Sequence, residues 1–137
     1  MEHSVVRILL VDDSDEFRIL VSQMLQEYPR FVVVGQATDG LHAVQLAGAL
    51  KPQLIVLDVG LPTLNGIEAA RQIRRISPDS QILFLTENDS PELAQEALRT
   101  GALGYVIKAS AGTDLITAAQ SVLAGNGFVS SRVATVA

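Results

Sequence analysis

Cysteine and tryptophan are both absent from the 137 residues, and aromatic side chains make up only 4%. Without a thiol there is no disulfide, no thiolate nucleophile and no zinc–thiolate site. The two histidines, His3 and His42, lack a partner histidine at ligand spacing, so neither a histidine metal site nor a phosphorelay role is expected of them. Lysine occurs only as Lys51 and Lys108, and no basic run interrupts an excess of 15 acids over 10 bases, a formal charge of −5. That balance is poorly suited to neutralising nucleic-acid phosphates. No apolar run approaches the roughly 20 residues of a membrane span, and the opening MEHSVV has no cationic stretch before an apolar one. A single cytoplasmic domain with no membrane association is expected, its 48% apolar content ample for a core.

The chain alternates five times between a short β-branched run and a stretch of helical period. Strands are expected at Val5–Val11, Phe31–Ala37, Leu54–Asp58, Gln81–Thr86 and Gly104–Ile107. Helices follow each, marked by Phe17, Leu20, Val21, Met24 and Leu25, by Ala43, Val44, Ala47 and Leu50, by Ile67, Ala70, Ile73 and Ile76, by Ala94, Ala97 and Leu98, and by Leu115, Ala119 and Val122. Ser90-Pro91 is a strong helix start, and Gly101 suits a left-handed helix exit. Continuously apolar strands between helices imply a parallel sheet covered on both faces. Residues 1–125 form the expected domain, and 126–137, without a strong period, the start of a linker.

In such a sheet the carboxyl ends of the strands share one edge, where ligands bind. Asp12 and Asp13 follow the first strand, Asp58 the third, Thr86 the fourth and Lys108 the fifth. Taken singly, Asp12, Asp13 and Asp58 are equally suited to helix capping. Together, carboxylates about 5 Å apart repel by roughly 3 kcal/mol per pair at an effective dielectric near 20, and such a cluster takes up protons or a cation. Oxygen-only ligands favour a hard ion, and Mg²⁺ suits a site of few carboxylates. A magnesium site beside a carboxylate points to phosphoryl chemistry.

Asp-Asp after the first strand, Asp58-x-x-Leu61-Pro62-x-x-x-Gly66 after the third, Thr86 after the fourth and Gly104-Tyr105-x-x-Lys108 at the fifth resemble the receiver domain of bacterial two-component response regulators. The resemblance covers residues 5 to 125. It implies a flavodoxin-like, doubly wound (βα)5 sheet of order 2-1-3-4-5. It further implies Asp58 as phosphoacceptor from a histidine kinase, with Mg²⁺ on Asp12, Asp13, Asp58 and the Gly60 carbonyl. Thr86 and Lys108 would bind the phosphoryl group, and Thr86 with Tyr105 would form a switch in which the ring turns inward. The expected readout is the helix 4–strand 5–helix 5 surface, through a homodimer or another partner. Such a domain catalyses only its own phosphorylation and dephosphorylation. GALGYVIK and LITAAQSVLAGNGFVSS are most similar to receivers with a LuxR-type helix-turn-helix output domain, absent from these residues, through which alone DNA would be bound.

Three readings compete. A haloacid-dehalogenase-like hydrolase needs a second acid two residues beyond its nucleophile, where this chain has Gly60. A flavin carrier wants a Ser/Thr/Gly-rich first loop and ring-stacking aromatics, whereas the loop here is Asp-Asp-Ser-Asp. A receiver-like interaction module that is never phosphorylated is hinted at by Glu87, since the residue after Thr86 is normally small in this family. Gly60 and Asn88 hold positions that tune hydrolysis in the family. Gly60 cannot orient an attacking water, so slow loss of phosphate is expected.

Overall fold

A computed structural model describes residues 4–133, in the order β1 (Val6–Val11), α1 (Asp15–Gln26), β2 (Phe31–Ala37), α2 (Gly40–Leu50), β3 (Leu54–Leu57), α3 (Gly66–Ile76), β4 (Gln81–Thr86), α4 (Pro91–Leu98), β5 (Gly104–Ile107), α5 (Ala111–Leu123) and β6 (Phe128–Val129). One turn of 3-10 helix, Lys108–Ser110, joins β5 to α5. All neighbouring strands are parallel, in the order β2-β1-β3-β4-β5-β6.

Strand residues alternate between two apolar layers, as the period of two requires. Leu9, Val11, Ile55, Leu57, Ile82, Phe84 and Tyr105 share a core with Ala43, Ala47, Ala70, Ile73, Ala94 and Ala97 of α2, α3 and α4. Ile8, Leu10, Leu54, Val56, Leu83, Leu85 and Val106 face the other way, onto Val21 and Leu25 of α1 and Leu115, Ala119 and Val122 of α5. Small residues on the helices let them sit close to β-branched and aromatic strand residues. Two residues expected on inner faces lie outside: Leu20 is 47% and Ile76 38% exposed. Val21 and Leu25 fix the face that α1 turns inward, which leaves Leu20 on its flank. Ile76 stands in the last turn of α3, beyond the reach of the sheet.

Four helices open on a side-chain cap. Ser14, Asp39, Asn65 and Ser90 accept from the backbone N–H of Phe17, His42, Glu68 and Leu93, satisfying donors that the helix cannot. Pro91 follows the last cap, and Gly101 takes φ +98° beyond α4.

The expected five-strand order holds, and β6 extends it. Residues 126–133, read from sequence as linker, lie against β5. Phe128 N–H donates to Leu103 O at 3.0 Å and Ser130 N–H to Tyr105 O at 2.9 Å. The buried Ser130 hydroxyl accepts from Ile107 N at 3.1 Å and donates to Asp114 Oδ2 at 2.8 Å. Val133 enters the same core as Tyr105 and Ile107. Two strand residues beside Gly125 and Gly127 are too few to show a period, and the docking depends on partners more than a dozen residues away.

Candidate functional site

The sheet register assembles the site. Val11 and Leu57 are paired across β1 and β3, and Asp58 N–H donates to Val11 O at 3.1 Å, so the next residues, Asp12 and Asp58, emerge side by side. Thr86 and Ile107 pair across β4 and β5, which brings Lys108 to the same edge. Ser14 rather than either aspartate caps α1. The carboxylates are therefore free of the commonest structural duty of an aspartate in this position.

Lys108 Nζ stands 2.7 Å from Asp12 Oδ2 and 3.1 Å from Asp58 Oδ2, and 4.5 Å from the centroid of the Phe17 ring. The ammonium is thus held between two carboxylates with an aromatic face beside it. Asp12 Oδ1 accepts from Ser14 N at 2.9 Å, and Asp58 Oδ1 has only a long contact, 3.4 Å, from Gly60 N. Asp13 is exposed. Carboxylate oxygens of Asp12, Asp13 and Asp58 all lie within 4.8 Å of one another.

Burial of Asp12 strips its carboxylate of hydration and raises its pKa. Hydrogen bonds from Lys108 and from Ser14 N oppose that rise, and the charge of Asp58 adds to it. Burial alone would depress Lys108, but hydrogen bonding to Asp12 and the charge of Asp58 outweigh it and raise its pKa. The rise at Asp12 comes first from lost hydration; the excess of negative charge is seen in the groups themselves, three converging carboxylates against one ammonium. The residues therefore fit a divalent cation: the donors are all oxygen, they converge, and the single ammonium does not saturate them.

The site opens into a cavity of about 650 Å³ whose lining includes Asp13, Asp58, Gly60, Thr86, Glu87 and Lys108. Thr86 is buried, its Oγ1 3.5 Å from Asn88 N. Tyr105 is wholly buried, and its hydroxyl donates to Asn88 O at 2.7 Å. Desolvation, reinforced by the charges of Asp58 and Asp89, pushes this phenol up to about 12. Gly66 explains the glycine of the Asp58 motif, because a Cβ there would meet the Asp58 carbonyl oxygen at 1.9 Å. Only a glycine lets α3 begin against the backbone of the candidate acceptor.

Asp12, Asp13, Asp58, Thr86 and Lys108 thus reach one edge with Gly60 beside them. Tyr105 lies behind it in the core of β5, His42 lies exposed on α2, and His3 falls outside the described residues. Sequence reasoning missed Phe17 beside Lys108, having placed it simply in the core. Its position three residues after the Ser14 cap was the available signal. It also missed Asn88 O as the partner of Tyr105, a backbone acceptor that leaves no trace in residue type.

A doubly wound parallel sheet with clustered carboxylates, a hydroxyl and a lysine at its strand ends defines a flavodoxin-like protein with an acidic cluster that could hold a metal ion. The model of the response regulator receiver domain matches residues 8–120, and the chain belongs to that family. Response regulator GacA of Pseudomonas viridiflava is 32% identical over 130 residues, covering 95% of this chain and 61% of that protein. Transcriptional regulatory protein DegU of Brevibacillus brevis is 34% identical over 128 residues, covering 93% and 54%. The chain therefore spans between half and two thirds of the length of these curated relatives. Among solved structures, a LuxR-family two-component response regulator from Aurantimonas sp. SI85-9A1 superposes with a TM-score of 0.90 at 35% identity, covering 95% of this chain and 93% of that one. The response regulator domain of Thermotoga maritima CheB gives 0.82 at 30% identity, covering 88% and 97%. No helix among the described residues is long and apolar enough to cross a membrane.

Proposed function

We propose that this domain is a phosphorylation-dependent switch that accepts a phosphoryl group on Asp58 from a histidine kinase in the cytoplasm. The observation that carries the reading is Asp58 itself, held beside Asp12 and Asp13 and 3.1 Å from Lys108 Nζ, with one oxygen left facing an open cavity. Asp12, Asp13 and Asp58, with the Gly60 carbonyl, would hold Mg²⁺, which when bound supplies charge neutralisation for the phosphoryl oxygens. A carboxylate oxygen of Asp58 attacks phosphorus in line as the P–N bond to the kinase's histidine breaks, its electron pair returning to the imidazole nitrogen. Lys108 shares its ammonium with the phosphoryl group as the Asp58 charge is consumed, and the Thr86 hydroxyl donates to a phosphoryl oxygen. The domain thereby promotes its own phosphorylation and dephosphorylation and turns over no separate substrate.

Phosphorylation shifts an existing equilibrium by favouring one state. The inward Tyr105 ring is the position expected once Thr86 is drawn to phosphate, and its bond to Asn88 O connects β5 to the segment before α4. The α4–β5–α5 surface then carries the readout, with homodimer formation as one form of it. Residues 126–137 lead, in this reading, from the domain at 1–125 and its β6 extension to an output domain that regulates transcription, as the name of the DegU relative implies for that protein. DNA binding belongs to that output domain.

Beryllofluoride with Mg²⁺ tests the reading. Saturable binding is expected, seen as a chemical-shift change or a rise in Tm, and lost in Asp58→Asn. Glu87, exposed at the cavity mouth, favours a second reading, an interaction module that is never phosphorylated. Unaltered spectra on adding beryllofluoride would select it.

A further inference from the structure

Glu87 follows the buried Thr86 directly, yet it is exposed and lines the same cavity as Asp58 and Lys108. Charge within the site is already committed. Lys108 is engaged by Asp12 and Asp58 at 2.7 and 3.1 Å, and the three aspartates converge within 4.8 Å. A divalent cation and one ammonium together balance three carboxylates. Glu87 is the fourth, and nothing among the described residues pairs with it. The mouth of the cavity therefore keeps an uncompensated negative charge when the cation site is filled.

In-line attack by Asp58 sends the leaving group away from Asp58, outward toward that mouth. We propose that Glu87 is a specificity-determining residue that selects phosphodonors by the charge of their leaving group, favouring phosphoramidates over acyl phosphates. This rests on Asp58 being the phosphoacceptor. With phosphoramidate, an Asp58 oxygen–phosphorus bond forms and the P–N bond breaks with its electron pair going to nitrogen. That nitrogen already carries three protons, departs as ammonia and is protonated by water. With acetyl phosphate the P–O bond breaks and the pair departs on acetate, an anion that must pass Glu87. The amine-side donor brings one net negative charge, the acyl donor two. Glu87 repels the second more, at approach and as acetate leaves, whereas the first departs as a neutral molecule that it does not oppose.

The interaction crosses a solvent-exposed opening, so its size is modest and salt-dependent. One charge at about 7 Å through a dielectric near 40 changes a rate by on the order of fivefold, and salt screens it over roughly 8–10 Å. Initial rates of Asp58 phosphorylation by phosphoramidate and by acetyl phosphate, both with Mg²⁺, are read by intact-mass spectrometry on the wild type, Glu87→Gln, Glu87→Ala and Glu87→Lys. Asp58→Asn is the blank. The ratio of the phosphoramidate rate to the acetyl phosphate rate is expected to fall about fivefold in both Glu87→Gln and Glu87→Ala, chiefly through faster acetyl phosphate transfer. It falls further in Glu87→Lys, and in the wild type it falls toward the Glu87→Gln value in 1 M salt. A ratio that stays within twofold in Glu87→Gln overturns the inference, as does a change confined to Glu87→Ala, which would make size the discriminant. If neither donor labels the wild type above the Asp58→Asn blank, the phosphoacceptor reading itself falls and the inference with it.

Discussion

The two ends of the sheet hold buried polar groups of opposite character. Beyond the amino ends of β3 and β4, Ser77 and Ser80 are buried, their hydroxyls 2.7 Å apart, and Ser80 Oγ donates to Pro52 O at 2.5 Å. Those groups are neutral and satisfy one another. Beyond the carboxyl ends, Asp12 and Asp58 share one ammonium, and Asp58 leaves an oxygen facing an open cavity. Buried neutral groups that pair internally stabilise a fold; buried charges of one sign in excess do not. The contrast sets an internally satisfied end apart from one whose acidic cluster could hold a metal ion.

The largest expected effect breaks the link between the two. Gly66→Ala would drive a methyl group into the Asp58 carbonyl and is expected to cost about 3 kcal/mol or more, since backbone must move. Gly60→Ala, where an added Cβ meets nothing within 4 Å, should leave the urea midpoint unchanged. Equal midpoints for the two variants would remove the close-packing explanation of the Gly66 position.

The next effect is a titration. The Tyr105 phenol stands near 12 against an ordinary 10.0, first through desolvation and then through the charge of Asp58. The folded state keeps the proton that the unfolded state gives up. Its contribution is therefore whole below pH 10 and is lost as pH rises toward 12, at most about 2–3 kcal/mol. In a Tyr28→Phe background, absorbance at 295 nm should report a single phenolate midpoint near 12, lowered in Asp58→Asn. A midpoint near 10 would mean that the ring is not held inward.

How far the sequence revealed all this differs between the same two ends. Unbroken apolar runs ending on Asp12, Asp58, Thr86 and Lys108 are local signals, and in a parallel sheet the edge they share follows from topology alone. The parallel sheet and its five helices were legible for that reason, whereas the strand order 2-1-3-4-5 came from the resemblance to receiver domains. β6 was not, because a two-residue strand has no period and Ser130 finds Ile107 and Asp114 only in three dimensions. Leu20 was misplaced because helical spacing fixes which residues align without fixing how far a face extends. The Ser77–Ser80 pair announced itself only as a turn, since hydroxyls that satisfy each other look like any other polar turn in sequence.

Smaller effects of opposite sign sharpen the contrast. Ser80→Ala leaves the Ser77 hydroxyl and Pro52 O each short of a buried partner, and is expected to lower stability by about 1–2 kcal/mol, with no dependence on divalent cation. Asp58→Asn does the reverse at the other end. It removes one of two buried charges that repel each other while Lys108 keeps Asp12, so without divalent cation it should raise stability by roughly 1 kcal/mol. With millimolar Mg²⁺ the wild type should gain in Tm by mass action, and the variant should gain less. The two melting curves then converge or cross. A wild type that is already the more stable protein without Mg²⁺ would mean that the Asp12–Lys108–Asp58 arrangement is balanced as it stands, and the carboxyl end would be no less complete than the amino end.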